Sequence, residues 1–281
     1  MKKSDTKLEK LIGILKKMDS AVLAYSGGVD STLLLNAIKL AGIRSLAVTA
    51  VSKTMPEDDY ISAKKMAEEM GIRHKIIKTD ELKKEAFRKN PADRCFYCKD
   101  ELFEKLKEIA NKEGYKFVLD GSNLDDMADW RPGRKAAKKY NIRSPLIEAG
   151  LTKKEIRGIS QSLNLPTWDK PSSPCLASRF PYGEPITCRA LKQIAEAERF
   201  LKSLGFVEFR VRHHGDIARI ELKEEGIEKL LSPDVRKAVT EKFKSLGYRF
   251  ISLDLEGFRS GRMNEELNKK VDRLKTHRAT H

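Results

Sequence analysis

The sequence predicts an α/β protein, with a parallel-sheet domain over residues 1–178 and a smaller α+β domain over 179–281. Three observations carry this reading. The first half alternates short apolar runs with amphipathic stretches, the pattern of βαβ units. Its first strand, Ala21-Val22-Leu23-Ala24-Tyr25, runs through Ser26-Gly27-Gly28-Val29-Asp30-Ser31 into an apolar helix, Thr32-Leu33-Leu34-Leu35-Asn36-Ala37-Ile38. The stretch from Leu165 to Pro185 holds five prolines and few helix or strand signals, which marks a functional loop and a domain boundary.

Each element has its own justification. Helix Asp5–Met18 precedes strand Ala21–Tyr25, and helix Ser31–Ala41 precedes strand Ser45–Val51. Helix Glu57–Met70 leads to strand His74–Lys78, and a helical segment Asp100–Glu113 leads to strand Phe117–Asp120. These strands are short and apolar, as expected of a parallel sheet covered on both faces. Ligands of such sheets sit at the carboxyl ends of strands. The Ser26 turn, Ser52 and the turn Leu119-Asp120-Gly121-Ser122-Asn123 are therefore expected on one edge. In the second domain, helix Thr187–Leu204 stops at Gly205, a good C-cap. Strands Val207–His213 and Asp216–Leu222 flank His214-Gly215 as a hairpin, and helical segments from Glu224 to Leu246 lead to strand Arg249–Leu255. The basic segment from Asn268 to His281 has no apolar stripe and reads as a frayed helix and tail.

Composition narrows the function classes. No apolar run of about 18 residues exists, so no membrane span is expected. Met1 to Lys17 mixes acids and bases without a signal-peptide core, and the expected location is cytoplasmic. The net charge of +15 suits polyanionic partners, although the excess base is spread along the chain and Lys and Glu are both abundant.

The Ser26–Ser31 turn is the strongest chemical signal. Two glycines let backbone N–H groups approach a phosphate, and the unsatisfied amides of the first helical turn point at it. Ser26 and Ser31 add hydroxyls, and Asp30 is placed to hold Mg²⁺ beside phosphates. No Gly-Lys-Ser/Thr follows, so this is not a Walker loop. The turn resembles the signature of the PP-loop ATP pyrophosphatases, the adenine nucleotide alpha hydrolase-like enzymes that split ATP into AMP and pyrophosphate.

The four cysteines are Cys95, Cys98, Cys175 and Cys188. In a cytosolic setting they are not expected to form structural disulfides. Cys95-Phe96-Tyr97-Cys98 can share a metal or cluster, and Cys175 lies in a proline-rich loop expected to overhang the nucleotide site. Four readings stand side by side: small buried hydrophobes, structural zinc on all four thiols, a redox dithiol, or an iron–sulfur cluster on three thiolates with one iron open to exogenous sulfide. The first is weakened by Arg94, Lys99 and Asp100, which read as exposed, and the second by Cys188, which opens a predicted helix without a paired neighbour.

Further segments resemble the LarE family of ATP-dependent sulfurtransferases in nickel-pincer nucleotide biosynthesis. They are Tyr25 to Ser31; Asp120-Gly121-Ser122-Asn123-Leu124-Asp125-Asp126 with Arg131-Pro132-Gly133; Pro174-Cys175-Leu176-Ala177-Ser178-Arg179 with Pro181-Tyr182-Gly183-Glu184; Arg210 to Arg219; and Leu255 to Gly261. The resemblance covers nearly the whole chain. It implies ATP and Mg²⁺ on Ser26, Gly27, Gly28, Asp30, Ser31, Ser52, Gly121 and Arg131, with Asp30 and Cys175 catalytic. Family members without paired cysteines sacrifice the sulfur at the position of Cys175 and become dehydroalanine. Members with a Cys-x-x-Cys are assigned a 4Fe-4S cluster, which here implies Cys95, Cys98 and Cys175 as ligands. The implied substrate is pyridinium-3,5-biscarboxylic acid mononucleotide, with sulfide or another sulfur donor, and a homo-oligomer is expected.

The second domain's strands carry guanidiniums at period two. Alternation puts Val207, Phe209 and Val211 on one face and Glu208, Arg210, Arg212 and His214 on the other. Such a surface suits a phosphate or is simply a solvated basic face. The resemblance implies that Arg210 and Arg212, with Arg259 as a third candidate, hold the substrate phosphate. Asp125 and Asp126 read equally as turn caps or metal ligands. Trp130 and Trp168 read as core or ligand contacts, Glu198 as a solvated helix residue whose family position faces the sulfur site, and His213 and His214 as ordinary histidines. Rival functions are tRNA thiolation, although no RNA-binding module or basic–aromatic cluster is present, and ammonia-dependent amidation of the NAD synthetase or GMP synthetase type.

Overall fold

A computed structural model describes residues 3–127, 132–171, 173–259 and 262. In chain order its helices and strands are α1 (Lys3–Lys16), β1 (Ser20–Ala24), α2 (Val29–Ala41), β2 (Arg44–Val51), α3 (Glu57–Glu69), β3 (His74–Lys78), α4 (Glu85–Arg88), α5 (Arg94–Glu113) and β4 (Phe117–Leu119). There follow α6 (Gly133–Lys139), α7 (Pro145–Glu148), α8 (Lys153–Ser162), α9 (Cys188–Ser203), β5 (Phe209–His214), β6 (Ile217–Leu222), α10 (Glu224–Leu231), α11 (Pro233–Ser245) and β7 (Phe250–Leu253). The chain divides into two units, Met1–Phe87 with Asp93–Ser173, and Arg88–Ala92 with Pro174–His281. The second unit thus begins at Pro174, ahead of the expected residue 179. It takes in Arg88–Ala92 because Ile186 N donates to the Arg88 carbonyl and Gly183 N to that of Asn90, each at 2.9 Å.

The first unit is a four-stranded, all-parallel sheet in the order β3-β2-β1-β4. Period-two alternation sorts its side chains into two layers. Ala21, Leu23, Ala47 and Leu119 join Leu11, Leu33 and Ile156 in one core, while Val22, Leu46, Val48 and Val118 join Phe103 and Leu106 in another. One strand departs from the expectation of burial on both faces. β3 lies at the sheet edge with Lys75, Ile76 and Lys78 exposed, and its lysines suit an edge. Because β1 connects to β2 and β3 on one side and pairs with β4 on the other, the strand order reverses between β1 and β4. In open α/β sheets that switch point opens a crevice at the carboxyl ends of the strands.

The second unit has the α+β character expected of it. β5 and β6 form the antiparallel hairpin around Gly215 (φ 58°), and β7 pairs with β6 in parallel. Its core gathers Leu201 of α9, Val211 and Ile220 of the hairpin, and Phe243 of α11 around Phe206 and Tyr248. Val207, expected on the core face, is exposed because the strand begins only at Phe209.

Helix α8 starts with a reciprocal capping box. Thr152 Oγ1 accepts from Glu155 N at 3.3 Å, and the Glu155 carboxylate accepts from Thr152 N at 3.0 Å. The Lys7 ammonium of α1 reaches the same carboxylate at 2.7 Å, and these donors, Lys7 foremost, lower the Glu155 pKa from 4.5 to about 2. A depressed carboxylate pKa adds stability above the unfolded value and loses it as pH falls through the folded one. Acid denaturation of Glu155→Gln, followed by circular dichroism, should accordingly show a flatter stability profile between pH 4.5 and 2 than the parent chain. Superimposable acid limbs would mean that the α1–α8 tether contributes nothing.

Candidate functional site

The turn after β1 is held by its own polar atoms. Ser26 and Ser31 hydroxyls share a hydrogen bond of 3.1 Å, Ser31 Oγ donates to the Gly28 carbonyl at 3.2 Å, and Gly28 N donates to Ser26 Oγ at 3.4 Å. Gly28 is the N-cap of α2 and no side chain caps the helix, so the first-turn N–H groups stay open toward the crevice. Gly27 has φ 68°, and a Cβ there would lie 2.8 Å from Ala63 Cβ on α3. Gly121 comes in from β4, where a Cβ would lie 3.2 Å from Ser31 N and Cα. Both glycines are required by close backbone approach, and the expected juxtaposition of the Ser26 and Gly121 turns is present.

Asp30, in the first turn of α2, accepts from Asn123 Nδ2 at 3.3 Å and pairs with Lys153 Nζ at 2.5 Å. Lys153 was not singled out in the sequence. The capping box that begins its helix is readable at Thr152-Lys153-Lys154-Glu155, but its position over Asp30 is a tertiary fact. Lys170 Nζ meets the loop from a second direction, donating to the Gly27 carbonyl at 3.3 Å and lying 3.1 Å from Asp59.

Asp126 accepts from Asn123 N at 3.0 Å and Asp125 from Lys153 N at 2.8 Å, so both carboxylates hold backbone in place, the capping reading. Ser52 Oγ donates to Glu81 at 2.7 Å, as does Thr54, and Glu81 is buried. Trp168 is exposed. Arg131, Trp130 and the segment from Asn268 to His281 lie outside the described residues.

Helix α5 begins at Arg94, six residues before the expected Asp100, and this puts the paired cysteines on a helix. Cys95 and Cys98 are its second and fifth residues, i and i+3, a spacing that puts both on one face. Arg94, expected to be exposed, is buried; Cys95 is exposed. None of the four cysteines is in a disulfide, and within each unit no group of three His, Cys, Asp or Glu side chains is gathered among the described residues.

In the second unit, Cys175 is exposed at the head of a 3-10 turn, Leu176–Arg179, and its carbonyl accepts from Ser178 N at 2.9 Å. Two buried guanidiniums hold this turn. Arg179 forms a two-pronged pair with Glu198 at 2.8 Å and donates to the Pro174 carbonyl at 3.0 Å. Arg212 forms a second such pair with Glu221 at 3.0 and 2.9 Å and donates to the Ser178 carbonyl at 2.7 Å. Glu198 is therefore an ion-pair partner, not a solvated helix residue. Arg212 is buried rather than presented to solvent, because Glu221 lies directly beneath it with Arg219 at 3.2 Å and Arg262 at 3.8 Å. Arg210 is half-buried with its guanidinium 4.8 Å from the Phe258 ring centroid; burial, with Arg179 nearby, lowers its pKa to about 10. Arg259 is exposed and paired with Glu256 at 2.8 Å. His213 is buried between Phe180 and Tyr248, which lowers its pKa through desolvation. Cys188 is exposed at the start of α9, as expected.

An all-parallel sheet whose first strand runs through a Ser-Gly-Gly-Val-Asp-Ser turn into an uncapped helix, in a chain that also carries a smaller α+β unit, is the architecture of the PP-loop class. No protein-family model matches the chain. Whole-chain comparison does find relatives. The chain is 42% identical over 266 residues to an uncharacterised protein of Synechocystis sp., covering 94% of this chain and 99% of the relative. It is 40% identical over 266 residues to the pyridinium-3,5-bisthiocarboxylic acid mononucleotide synthase of Lactiplantibacillus plantarum, covering 94% and 96%. An uncharacterised protein of Methanocaldococcus jannaschii is 34% identical over 258 residues, covering 90% and 98%. The chain belongs to the LarE family.

Losing one partner of a buried ion pair strands the other charge and costs about 3–5 kcal/mol. Glu221→Ala leaves Arg212 in that state, and urea unfolding should show a loss of this size. A loss below about 1 kcal/mol, the range of exposed pairs, would show that the pair is solvated.

Proposed function

We propose that this chain is an ATP-dependent sulfurtransferase acting on the carboxylates of pyridinium-3,5-biscarboxylic acid mononucleotide. The observation that carries the reading is the Ser26–Ser31 turn at an uncapped helix start, in a chain 40% identical over nearly its whole length to a pyridinium-3,5-bisthiocarboxylic acid mononucleotide synthase. In the first half-reaction, a substrate carboxylate oxygen attacks the α-phosphorus of ATP, the bond to the β-phosphate bridging oxygen breaks, and pyrophosphate leaves. The Ser26 and Ser31 hydroxyls and the first-turn amides of α2 bind the departing charge. Asp30 is the residue that would hold Mg²⁺, and Lys153, which pairs with its carboxylate, would add positive charge for the phosphates.

In the second half-reaction a sulfide sulfur bonds to the acyl carbon, the acyl carbon–oxygen bond breaks, and AMP leaves with that oxygen. Cys95, Cys98 and Cys175 are the residues that would hold a 4Fe-4S cluster. What supports this reading is that two thiols share one face at the start of a helix in the first unit, and that Cys175 stands exposed in the second on a turn braced by Arg179. When bound, such a cluster supplies sulfide at an iron without a thiolate ligand. Arg210 and Arg259 are proposed for the substrate phosphate, with Arg212 acting beneath them by fixing the Ser178 carbonyl.

Two measurements test the reading. Asp30→Ala should keep the parent circular dichroism spectrum yet lose ATP-dependent pyrophosphate release by 10²-fold or more, on the order of what electrostatic transition-state stabilisation supplies. Unchanged turnover would reduce Asp30 to a helix-terminal residue. Anaerobically purified protein should be brown and contain iron. Replacing Cys95, Cys98 or Cys175 by Ser should remove the colour, while Cys188→Ser should keep it. A single turnover that leaves Cys175 lighter by one H₂S would establish the sacrificial route instead.

A further inference from the structure

His74 stands on the edge strand β3, two strands away from the turn after β1, yet a chain of hydrogen bonds joins it to that turn. In the register of the sheet His74 pairs with Ala47, and period-two alternation puts Thr49 on the same face as Ala47. Thr49 Oγ1 lies 2.8 Å from His74 Nε2 and donates to the Tyr25 carbonyl at 2.8 Å. We propose that His74 is a positioning residue for the phosphate turn, acting through Thr49 on the peptide between Tyr25 and Ser26. The proposal rests on the reading of the chain as an ATP-using enzyme and extends it to a residue on a neighbouring part of the sheet.

The direction of each bond follows from donor chemistry. A carbonyl only accepts, so Thr49 gives its single hydroxyl proton to Tyr25 and keeps lone pairs to accept from His74. The ring must therefore carry its proton on Nε2. Burial outweighs the nearby Glu68 carboxylate and lowers the His74 pKa, so near neutral pH the ring holds one N–H, whose place Thr49 fixes. The other end of the chain is a planar peptide, in which carbonyl and N–H point in opposite directions. Thr49 holds the carbonyl, and Ser26 N on the far side donates to Ser31 Oγ at 3.4 Å. That is one of the hydroxyls proposed for the departing pyrophosphate, and rotating the peptide would carry the Ser26 amide away from it. Thr49 is 1% exposed and Tyr25 2%, so water does not compete for the Tyr25 carbonyl. The Tyr25 side chain shares the arrangement: its hydroxyl lies 3.3 Å from Thr32 Oγ1 in the first turns of α2, and the His74 ring meets its ring edge-on at 6.2 Å.

Titration calorimetry on the full chain, with a non-hydrolysable ATP analogue as the probe, tests the relay. His74→Phe keeps an aromatic ring against Tyr25 and removes the N–H, and it should weaken the analogue about three- to tenfold, the worth of one hydrogen bond. His74→Gln, whose amide donates to Thr49, should return the affinity to within about twofold of the parent chain. Thr49→Val should weaken the analogue by a like factor. Adding His74→Phe to Thr49→Val should then change little more, because the chain is already broken. Equal losses in His74→Phe and His74→Gln, or losses that multiply in the double variant, would reduce His74 to a packing residue, overturn the relay and leave the ATP reading standing. Should Thr49→Val fail to fold, the comparison of His74→Phe with His74→Gln decides alone. No binding of the analogue by the parent chain would sink both readings.

Discussion

Ser31 sits where the backbones of β4 and α2 come almost into contact, and the first unit's site depends on that crowding. A Cβ on Gly121 would press within 3.2 Å of Ser31 N and Cα, and one on Gly27 within 2.8 Å of Ala63 Cβ. Because neither glycine carries a side chain, the turn after β1 can settle between α3 and the β4 turn without blocking the first amides of α2. The consequence is electrostatic. An open helix N-terminus carries partial positive charge that favours the Asp30 carboxylate, and Lys153 adds a full positive charge to it from a helix more than a hundred residues away in sequence. The loop's geometry and the placement of its cations follow from the same packing.

The second unit solves a different problem. Its hairpin carries arginines that the alternation pattern presents to a ligand, yet the most buried of them is matched to a carboxylate. Arg212 faces Glu221, Arg219 faces Glu221 and Asp254, and Arg179 faces Glu198. Such pairs add little net stability over apolar packing, and here they do something apolar residues cannot. Each of two guanidiniums keeps a donor for a backbone carbonyl, Pro174 for Arg179 and Ser178 for Arg212, on either side of Cys175. The exposed thiol is carried on a turn whose backbone is pinned from below.

The short apolar runs alternating with amphipathic stretches, and the glycine turn, determined the parallel sheet, the turn that meets α2, and the α+β character of the second unit, because these are local signals that burial rewards wherever the strands end up. They also put the Ser26 and Gly121 turns on one sheet edge, since parallel strands share the direction of their carboxyl ends. Tertiary structure decided the rest. The start of α5 at Arg94, which turns Cys95 and Cys98 into neighbours on a helical face, has no apolar periodicity to announce it, and Arg94 is buried despite its charge. β3 reads like its neighbours and is solvent-exposed, because edge position depends on strand order and not on composition. Lys153 and Lys170 look like any of the chain's lysines until α8 and the segment from Leu165 to Lys170 fold back onto the turn after β1. A residue's pattern with its near neighbours determines which face it occupies, whereas the charge it meets there belongs to a partner distant in sequence, and only the folded chain brings the two together.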